Sequence, residues 1–468
     1  MSGGKARSGL NLSSPPSVQV VDAVLHLFIP TQSSSTLPFR NAPTPMKFTA
    51  SSADLLEALN TVKGAVPSKS TMPILECILF ERDGDTLRLS ATDLEISIIQ
   101  TVPVQFEKNG TPESTPIAVP AQRLIDTLRA LPDLPIEFAA DSDFEIRMDT
   151  DQGHYKMVGH DGSDYPELPE LEEQHEINVE GGLLGRSIDK TAFAVSQDAL
   201  RPAMMGVYFQ VSEEETSVVA TDGHRLVKLT LPELRADTSA DFIVPEKATK
   251  LAGRIVEDDE ICTVRVDDSH VSFEFGESRV LARLIDETYP NYQSVIPDGN
   301  DRNLVVNRED MLNAVKRVGL YSSSMTNQIR LDITADTVTI SAEDVERSSE
   351  AEETIHCDYD NEPMEIGFNS EYLTEVLSNV ECDEVVFELS SPNRAGIVLP
   401  REGADDEDIL MLIMPVMLNT YASAFAPSGP PSTRVQRLFS EARRGPATEV
   451  VPRAAAIPER ARGDESKA

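Results

Sequence analysis

The sequence is short of cysteine, of cationic side chains and of long apolar runs. In its 468 residues no stretch reaches the roughly 18–20 consecutive apolar residues that a membrane span needs, which excludes an integral membrane protein. The four cysteines lie far apart and form no C-x-x-C pair. We therefore expect no zinc site, no other metal site and no disulfide framework. The thiols are predicted to be reduced core side chains of a cytoplasmic protein: Cys77, Cys262, Cys357 and Cys382.

Basic residues are the scarcer charged class, with 41 Lys and Arg against 79 Asp and Glu, a net charge of −38. If this charge were spread evenly, it would exclude nucleic acid as a partner, because phosphates attract basic surfaces. The exclusion therefore depends on where the few cations lie. At roughly 100–200 residues per domain, the length predicts two to four domains.

The two ends of the chain differ from its middle. Residues 1–45 are rich in Ser, Pro and Thr, and Asp22 and His26 interrupt their single apolar run, which no A-x-A cleavage site follows. We interpret them as a disordered extension, or as the product of a misassigned start with Met46 as the true first residue, rather than as a secretion signal. Residues 421–468 are predicted to be a disordered tail. The 375 residues between the two ends hold 30 basic and 73 acidic side chains, a net charge of −43.

This middle part contains one unit three times, at a period of about 125 residues. A strand-like run ending in a small-residue turn recurs at Asp93, Asp222 and Asp344. Each unit opens with an amphipathic helix, and a second helix begins near Pro120, Pro245 and Asn369, residue types that favour helix starts. Short alternating runs predict antiparallel strands between the helices. The pattern predicts three α+β domains, each with two helices and six to eight strands, at residues 46–168, 176–298 and 302–420.

The cations are concentrated on the predicted helices. Six segments are predicted to be helical: residues 51–65, 120–131, 182–196, 245–256, 307–321 and 369–380. Together they hold 11 basic and 9 acidic residues, whereas the rest of the middle part carries a net charge of −45. A helix layer that is neutral to positive and backed by acidic sheets can face a polyanion. The alternative is that Arg and Lys are present for helix propensity alone, but propensity does not explain the shortage of Glu. The sixth helix has no basic residue.

Ordered motifs across all three units carry a resemblance to a known family. The chain resembles bacterial DNA polymerase III beta subunits, the replicative sliding clamps, from Met46 to Leu418 through MKFTASSADLLEAL, STMPILECILFE, ATDLEISI, RPAMMGVYF, ATDGHRLV, RLIDETYPNYQSVIP, EIGFNSEYLTEVL and LMLIMPVML. The resemblance implies an α+β fold of three repeated clamp domains, each with two helices packed on antiparallel sheets. It also implies a ring formed by a head-to-tail homodimer, with the helices inside and the sheets outside.

The resemblance further implies a function and a set of partners. A clamp encircles double-stranded DNA without sequence specificity and tethers the replicative polymerase as a processivity factor in DNA replication. The implied partners are the catalytic subunit of that polymerase, the clamp loader, and repair polymerases and ligase-type proteins that bind through short peptides. The implied location is the cytoplasm, without membrane association and without a cofactor.

Family motifs also assign site residues in this chain. The expected DNA-facing cations, matched to the family or taken from the helix count, are Lys69, Arg201, Lys247, Lys250, Arg254, Lys316 and Arg317. The pocket for partner peptides matches Met204, Thr221, Gly223, His224, Arg225, Leu226, Pro297, Met414, Pro415, Val416, Met417 and Leu418. Methionines suit a surface that accepts several partners. Leu320 and Tyr321 match apolar positions of the dimer interface, although packing within the third domain would also explain them.

In two places the chain departs from some members of the family. Pro202 and Ala203 stand where aromatic residues occur in relatives, so stacking on a single-stranded template is not expected here. Met417 stands where some relatives have a basic residue, and one polar contact to a partner peptide is lost with it.

No motif supports catalysis. His224 lies near Asp222, as in a general base with its orienting carboxylate, but the sequence has no G-x-S-x-G, no phosphate-binding glycine loop and no H-E-x-x-H. The acidic residues are dispersed instead of clustered for Mg²⁺. We therefore expect a protein without a catalytic site. The remaining alternative is a repeat scaffold that binds proteins but never encircles DNA.

Two further expectations concern salt and the tail. The acidity predicts a cytoplasm of high ionic strength, since at about 1 M salt the screening length falls to roughly 3 Å and crowded carboxylates repel little. In the tail, Gln436, Leu438 and Phe439 loosely resemble a clamp-binding peptide, so the tail could compete with partners for its own pocket.

Overall fold

The computed structural model of the chain describes residues 46–107, 114–171, 175–236, 239–404 and 406–418. The predictions for residues 1–45, for the tail and for its peptide-like segment lie outside these ranges. The described residues form six α-helices and twenty-six strands, arranged in three similar successive units.

The first unit has two helices and ten strands, and five of its strands form a sheet of their own. Its helices are α1 (Ser52–Val62) and α2 (Ala121–Ala130). Its strands are β1 (Met46–Ser51), β2 (Cys77–Asp83), β3 (Thr86–Thr92), β4 (Ile96–Pro103), β5 (Gln105–Phe106), β6 (Ile117–Pro120), β7 (Pro135–Ala140), β8 (Glu145–Thr150), β9 (Gly153–Val158) and β10 (His160–Asp161).

The second and third units each have two helices and eight strands. The second contains β11 (His175–Glu180), α3 (Gly181–Thr191), β12 (Gly206–Val211), β13 (Thr216–Thr221), β14 (Arg225–Leu231), β15 (Ala240–Pro245), α4 (Glu246–Ile255), β16 (Ile261–Val266), β17 (His270–Phe275) and β18 (Ser278–Arg283). The third contains β19 (Arg302–Asn307), α5 (Arg308–Gly319), β20 (Gln328–Ile333), β21 (Thr337–Asp344), β22 (Ser349–Tyr359), β23 (Met364–Asn369), α6 (Ser370–Ser378), β24 (Glu384–Leu389), β25 (Gly396–Pro400) and β26 (Asp408–Ile413). The predicted α+β fold of three repeated units with two helices each is confirmed. The expected six to eight strands are found in the second and third units, whereas the first unit has ten, because the two-residue strands β5 and β10 add to its other eight.

The helix starts follow their capping residues, with one difference from the sequence-based expectation. The side-chain oxygen of Asn369 accepts from the backbone N–H groups of Glu371 and Tyr372, as expected for a helix cap. Pro120 and Pro245, in contrast, end the preceding strands, and their helices begin one residue later. Proline ends these strands easily because it has no N–H to donate to the next pair of a ladder.

The strands form three antiparallel sheets, and two of the sheets cross from one unit to the next. A nine-stranded sheet joins the first unit to the second where β4 pairs with β18. A twelve-stranded sheet joins the second unit to the third where β14 pairs with β26. The five-stranded sheet of the first unit ends at β9. Backbone pairing therefore fixes the position of each unit against its neighbour.

Apolar side chains are buried between the helices and the sheets and between facing sheets. In the first unit the ring of Phe138 stacks on Phe48 and Phe80, with centroid distances of 4.7 and 5.5 Å. Each unit places its two helices against each other, and they cover the same sheet strands that cross the unit boundaries. Burial of such side chains contributes roughly 1.5–3 kcal/mol each.

None of the helices in the described ranges has the length and apolar character of a membrane span.

Candidate functional site: helix layer and junction groove

The helices of neighbouring units lie on the same face of the continuous sheets. α1 packs on β3 and β4, and α4 packs on the paired strand β18. Just beyond α1, Gly64 approaches Leu251 of α4 so closely that a Cβ atom at this glycine would lie 2.4 Å from the leucine Cδ2. α1 and α4 therefore lie side by side on one face of the nine-stranded sheet. At the second boundary, α3 and α6 pack on the paired strands β14 and β26. We refer to the six helices together as the helix layer.

The cations predicted to face DNA are exposed on this layer or on loops beside it. Lys247, Lys250 and Arg254 lie on α4, and Lys316 and Arg317 lie in the last turn of α5. Lys69 is exposed in the loop that follows α1, and Arg201 in the loop before β12. A helix C-terminus favours cations, which suits the position of Lys316, Arg317 and Arg254.

Several of these cations are already paired with carboxylates. Lys247 forms an ion pair with Asp93 across the boundary between the first and second units, and Lys250 pairs with Glu246 one turn earlier on α4. Arg317 donates two parallel hydrogen bonds to Glu353, at 2.8 and 2.6 Å, which lower the pKa of that carboxyl. A surface whose cations are partly compensated attracts phosphate only weakly.

Arg201 is also paired with a carboxylate, and it lies beside the β13–β14 turn. Its Nε donates to Asp198 at 3.0 Å, and its Nη1 donates to the carbonyl oxygen of Asp222 at 2.8 Å. Backbone donation from Leu200 and the hydrogen bond from Arg201 lower the pKa of Asp198. These hydrogen bonds fix the loop that carries Arg201 and join it to the β13–β14 turn.

A cavity of about 610 Å³ opens at the boundary between the second and third units; we call it the junction groove. Its lining comes from the β13–β14 turn, the segment 290–298, the segment 393–395 and the end of β26. Among the predicted pocket residues, those that line it are Met204, Thr221, Gly223, Arg225, Leu226, Pro297 and Met414. Sequence reasoning missed five apolar lining residues: Tyr292, Val295, Ile296, Ala395 and Leu412. The first three lie within the family motif RLIDETYPNYQSVIP, and Leu412 lies within LMLIMPVML.

The remaining predicted pocket residues lie beside the groove instead of lining it. The backbone N–H of Met414 donates to the carbonyl oxygen of His224 at 2.8 Å, which ties the end of β26 to the β13–β14 turn. Beyond it the backbone N–H of Val416 donates to Gly367 at 2.8 Å, so that Pro415, Val416, Met417 and Leu418 continue along β23.

The turn that carries His224 is organised by Asp222. One carboxylate oxygen of Asp222 accepts from the backbone N–H groups of His224 and Arg225, at 2.8 and 3.0 Å. Gly223 adopts φ +88°, a conformation that glycine adopts without strain. The imidazole of His224 stacks on Tyr372, with a centroid distance of 5.6 Å. The Asp222 carboxylate thus shapes the turn, and the imidazole packs against a helix of the third unit.

Aromatic rings support the groove from below. Tyr208 stacks on Tyr289 at 4.5 Å between centroids, and the hydroxyl of Tyr292 donates to Gln210 at 2.9 Å. Burial raises the pKa of all three phenols, so they stay neutral at physiological pH. Stacked neutral rings form a rigid apolar support, suited to apolar anchors from a partner.

The predicted interface residues are exposed at the end of α5. Leu320 is 81% exposed and Tyr321 is 45% exposed, so packing within the third unit does not account for them. Leu320 and Tyr321 form an exposed apolar patch at the end of α5, a helix that packs on β22. Met325 and Val345 of the same unit are also exposed, at 84% and 76%.

No group of three or more His, Cys, Asp or Glu side chains in the described ranges is arranged to hold a metal ion.

Known proteins match all three units of the chain. Family models of the DNA polymerase III beta subunit match in order: the N-terminal domain at residues 46–169, the central domain at 178–291 and the C-terminal domain at 293–417. The chain is 32% identical over 363 residues to the beta sliding clamp of Caulobacter vibrioides, covering 76% of this chain and 96% of that one. It is 30% identical over 376 residues to that of Pseudomonas putida, covering 80% and 100%.

Solved structures agree. The DNA polymerase III subunit beta of Pseudomonas aeruginosa superposes with a TM-score of 0.75 at 29% identity, and covers 80% of this chain and 100% of its own. The DNA polymerase sliding clamp of Bacillus subtilis superposes with a TM-score of 0.74 at 27% identity, over 80% and 99%.

Three repeated domains and sheets that run across the domain boundaries, together with these matches, define a DNA sliding clamp, a processivity factor of DNA replication. The chain belongs to the DNA polymerase III beta subunit family.

Proposed function

We propose that two copies of this chain close head to tail into a ring of six domains around duplex DNA. The support comes from the internal repeat. β4, β14 and β22 each follow the turn that Asp93, Asp222 or Asp344 marks, and β9, β18 and β26 are the corresponding late strands of the three units. At both boundaries the strand after the turn pairs with the late strand of the next unit, β4 with β18 and β14 with β26. The same rule pairs β22 of one copy with β9 of the other.

The same rule assigns the apolar patch to the interface. Leu320 and Tyr321 follow α5 as Lys63 and Gly64 follow α1, and Gly64 contacts the second helix of the next unit. In the dimer, Leu320 and Tyr321 therefore contact α2 of the second copy. Closure also covers the free edge of β9, which would otherwise template aggregation.

In such a ring the helix layer lines the hole, and DNA is held by topology. The cations that face the DNA are Lys69, Arg201, Lys247, Lys250, Arg254, Lys316 and Arg317. Their contacts go to phosphate, without sequence information, and stay weak because carboxylates compensate several of them. Weak contacts leave the ring free to slide.

The junction groove is the site for partners. Short peptides with two or three apolar anchors fit its Met-, Leu- and Pro-rich lining, and the flexible methionines adapt to different sequences. We assign to it the catalytic subunit of the replicative polymerase, the clamp loader, and repair polymerases and ligase-type proteins. The Asp222 carboxylate accepts backbone hydrogen bonds within the β13–β14 turn, so the His224–Asp222 pair is not a catalytic dyad. We assign the chain no catalytic site. We assign it a cytoplasmic location, together with the DNA.

The observation that carries this proposal is the continuation of sheets across both domain boundaries. The test is retention on DNA. Loaded onto a nicked circular plasmid by its clamp loader, the protein is expected to stay bound through gel filtration and to be lost when a restriction enzyme linearises the circle. A scaffold that never encircles DNA would show equal retention on circular and linear molecules, and this result would overturn the proposal.

A further inference from the structure

The helix α6 has no basic residue, and unlike α1, which also has none, it is not followed directly by a lysine. Its charged side chains are Glu371 and Glu375, and it packs at the boundary between the second and third units. A carboxylate on a surface that faces phosphate needs a reason, because it repels the ligand of that surface. The contacts of Glu375 supply the reason.

Glu375 forms an ion pair with Arg225, a residue that lines the junction groove. The Arg225 side chain is only 7% exposed, and its Nη2 donates to the carbonyl oxygen of Phe193 at 2.8 Å. Its Nε lies 3.3 Å from the carboxylate of Asp222. A buried guanidinium needs such neutralising partners, because an unpaired buried charge is strongly destabilising.

Two aromatic rings fix the same guanidinium from its sides. Its central carbon lies 5.3 Å from the ring centroid of Phe193 and 4.9 Å from that of Tyr372. Tyr372 belongs to α6 and also stacks on His224 in the groove-forming turn. One helix therefore supplies both the carboxylate and a ring that position Arg225.

The corresponding boundary between the first and second units shows the opposite polarity. There the second helix supplies the cation, Lys247 of α4, and the β3–β4 turn supplies the carboxylate, Asp93. At the second boundary the strand after the turn supplies the cation, Arg225, and the helix supplies the carboxylate. Counted from the start of each helix, Glu375 stands where α4 has Leu251, and its carboxylate neutralises a groove residue.

We infer that Glu375 is a positioning residue of the partner groove and that α6 supports this groove instead of contacting DNA. The inference rests on the proposed role of the junction groove. Without the Glu375 carboxylate, the guanidinium loses one of its counter-charges, and its pose at the groove wall is no longer fixed. Glu375 itself is 48% exposed, so water replaces part of what is lost and the effect is moderate.

The test compares two carboxylates of one helix. Glu375→Gln keeps the shape and removes the charge, and Glu371→Gln is the matched control in the first turn of α6. Binding of each full-length clamp to the catalytic subunit of the replicative polymerase purified from the same organism is measured by surface plasmon resonance. We expect about tenfold weaker binding for Glu375→Gln, and binding within about twofold of wild type for Glu371→Gln and for the charge-conserving Glu375→Asp. Once loaded, each variant should dissociate from circular DNA at the wild-type rate, whereas loading by the clamp loader, which we assign to the same groove, should be weaker for Glu375→Gln.

A double-mutant cycle separates positioning from general destabilisation. If Glu375 acts through Arg225, Arg225→Lys and Glu375→Gln together should weaken binding by less than the product of their separate effects. Multiplicative effects, or equal binding by Glu375→Gln and Glu371→Gln, would overturn the inference. A wild-type clamp that fails to bind the polymerase would instead overturn the proposed role of the groove.

Discussion

At the scale of single residues, the boundary between the second and third domains depends on a buried lysine. The Lys190 side chain is 11% exposed, pairs with the 5% exposed Glu407, and lies 3.1 Å from Glu381. Burial by itself lowers the pKa of Lys190, but the hydrogen bonds to Glu407 and Glu381 outweigh burial and hold the pKa above its usual value. Because a raised lysine pKa stabilises the fold below the unfolded-state pKa, this contribution is complete at neutral pH and is lost as the pH rises through the folded-state pKa.

We predict that Lys190→Met lowers the free energy of unfolding by about 3 kcal/mol, because Glu407 is left buried without its counter-charge. Urea unfolding followed by circular dichroism measures the change. The control is Lys156→Met, which removes the exposed pair of Lys156 with Glu145 and is expected to change stability by less than about 1 kcal/mol. Equal effects of the two substitutions would show that the buried pair does not hold the boundary.

Residue types on their own explained only part of the junction groove. Its lining in the β13–β14 turn lies in one contiguous motif, TDGHRL, and is readable from the chain. Leu412 lies within the family motif LMLIMPVML, but nothing in that motif distinguishes it from a core residue, and Ala395 lies in no motif at all. Their membership follows from the pairing of β14 with β26.

At the scale of elements, the end of α5 is the part of the molecule whose exposure calls for a partner. An 81% exposed leucine followed by a 45% exposed tyrosine is costly to leave in water. In the proposed dimer both residues contact a helix of the second copy, and β22 of one copy pairs with β9 of the other.

We predict that the double substitution of Leu320→Asp and Tyr321→Asp converts the dimer into folded monomers, raising the dimer dissociation constant by about 100-fold or more. The physical reason is that two carboxylates would be buried in an apolar contact. Sedimentation velocity measures the mass, and circular dichroism checks the fold. Leu200→Asp is the matched control, because Leu200 is 90% exposed on the second domain away from the patch. A double variant that still sediments as a dimer would remove these residues from the interface.

At the scale of the whole molecule, acidity and assembly are connected. Residues 46–420 carry −43, and each ring would bring two such charges together. Salt at about 1 M shortens the screening length to roughly 3 Å and so removes most repulsion between exposed carboxylates.

The ring is therefore expected to weaken in dilute buffer. Sedimentation equilibrium is measured at one protein concentration in about 0.05 M KCl and in molar KCl. The monomer fraction should be larger at the lower KCl concentration. A dimer of equal stability at both concentrations would defeat the expectation of a high-salt cytoplasm.

The sequence by itself determined the threefold repeat, the six helices and the placement of the cations on them, because periodicity, capping residues and composition are local properties. The tertiary structure decided which of those charges remain available. Arg225 and Glu375 are 150 positions apart in the chain, and Lys190 and Glu407 are 217 positions apart. No local sequence pattern can therefore predict either ion pair. The pairs form because sheet continuity brings neighbouring domains into contact. This contact also accounts for the ion pair that the Glu375 carboxylate of α6 forms with Arg225.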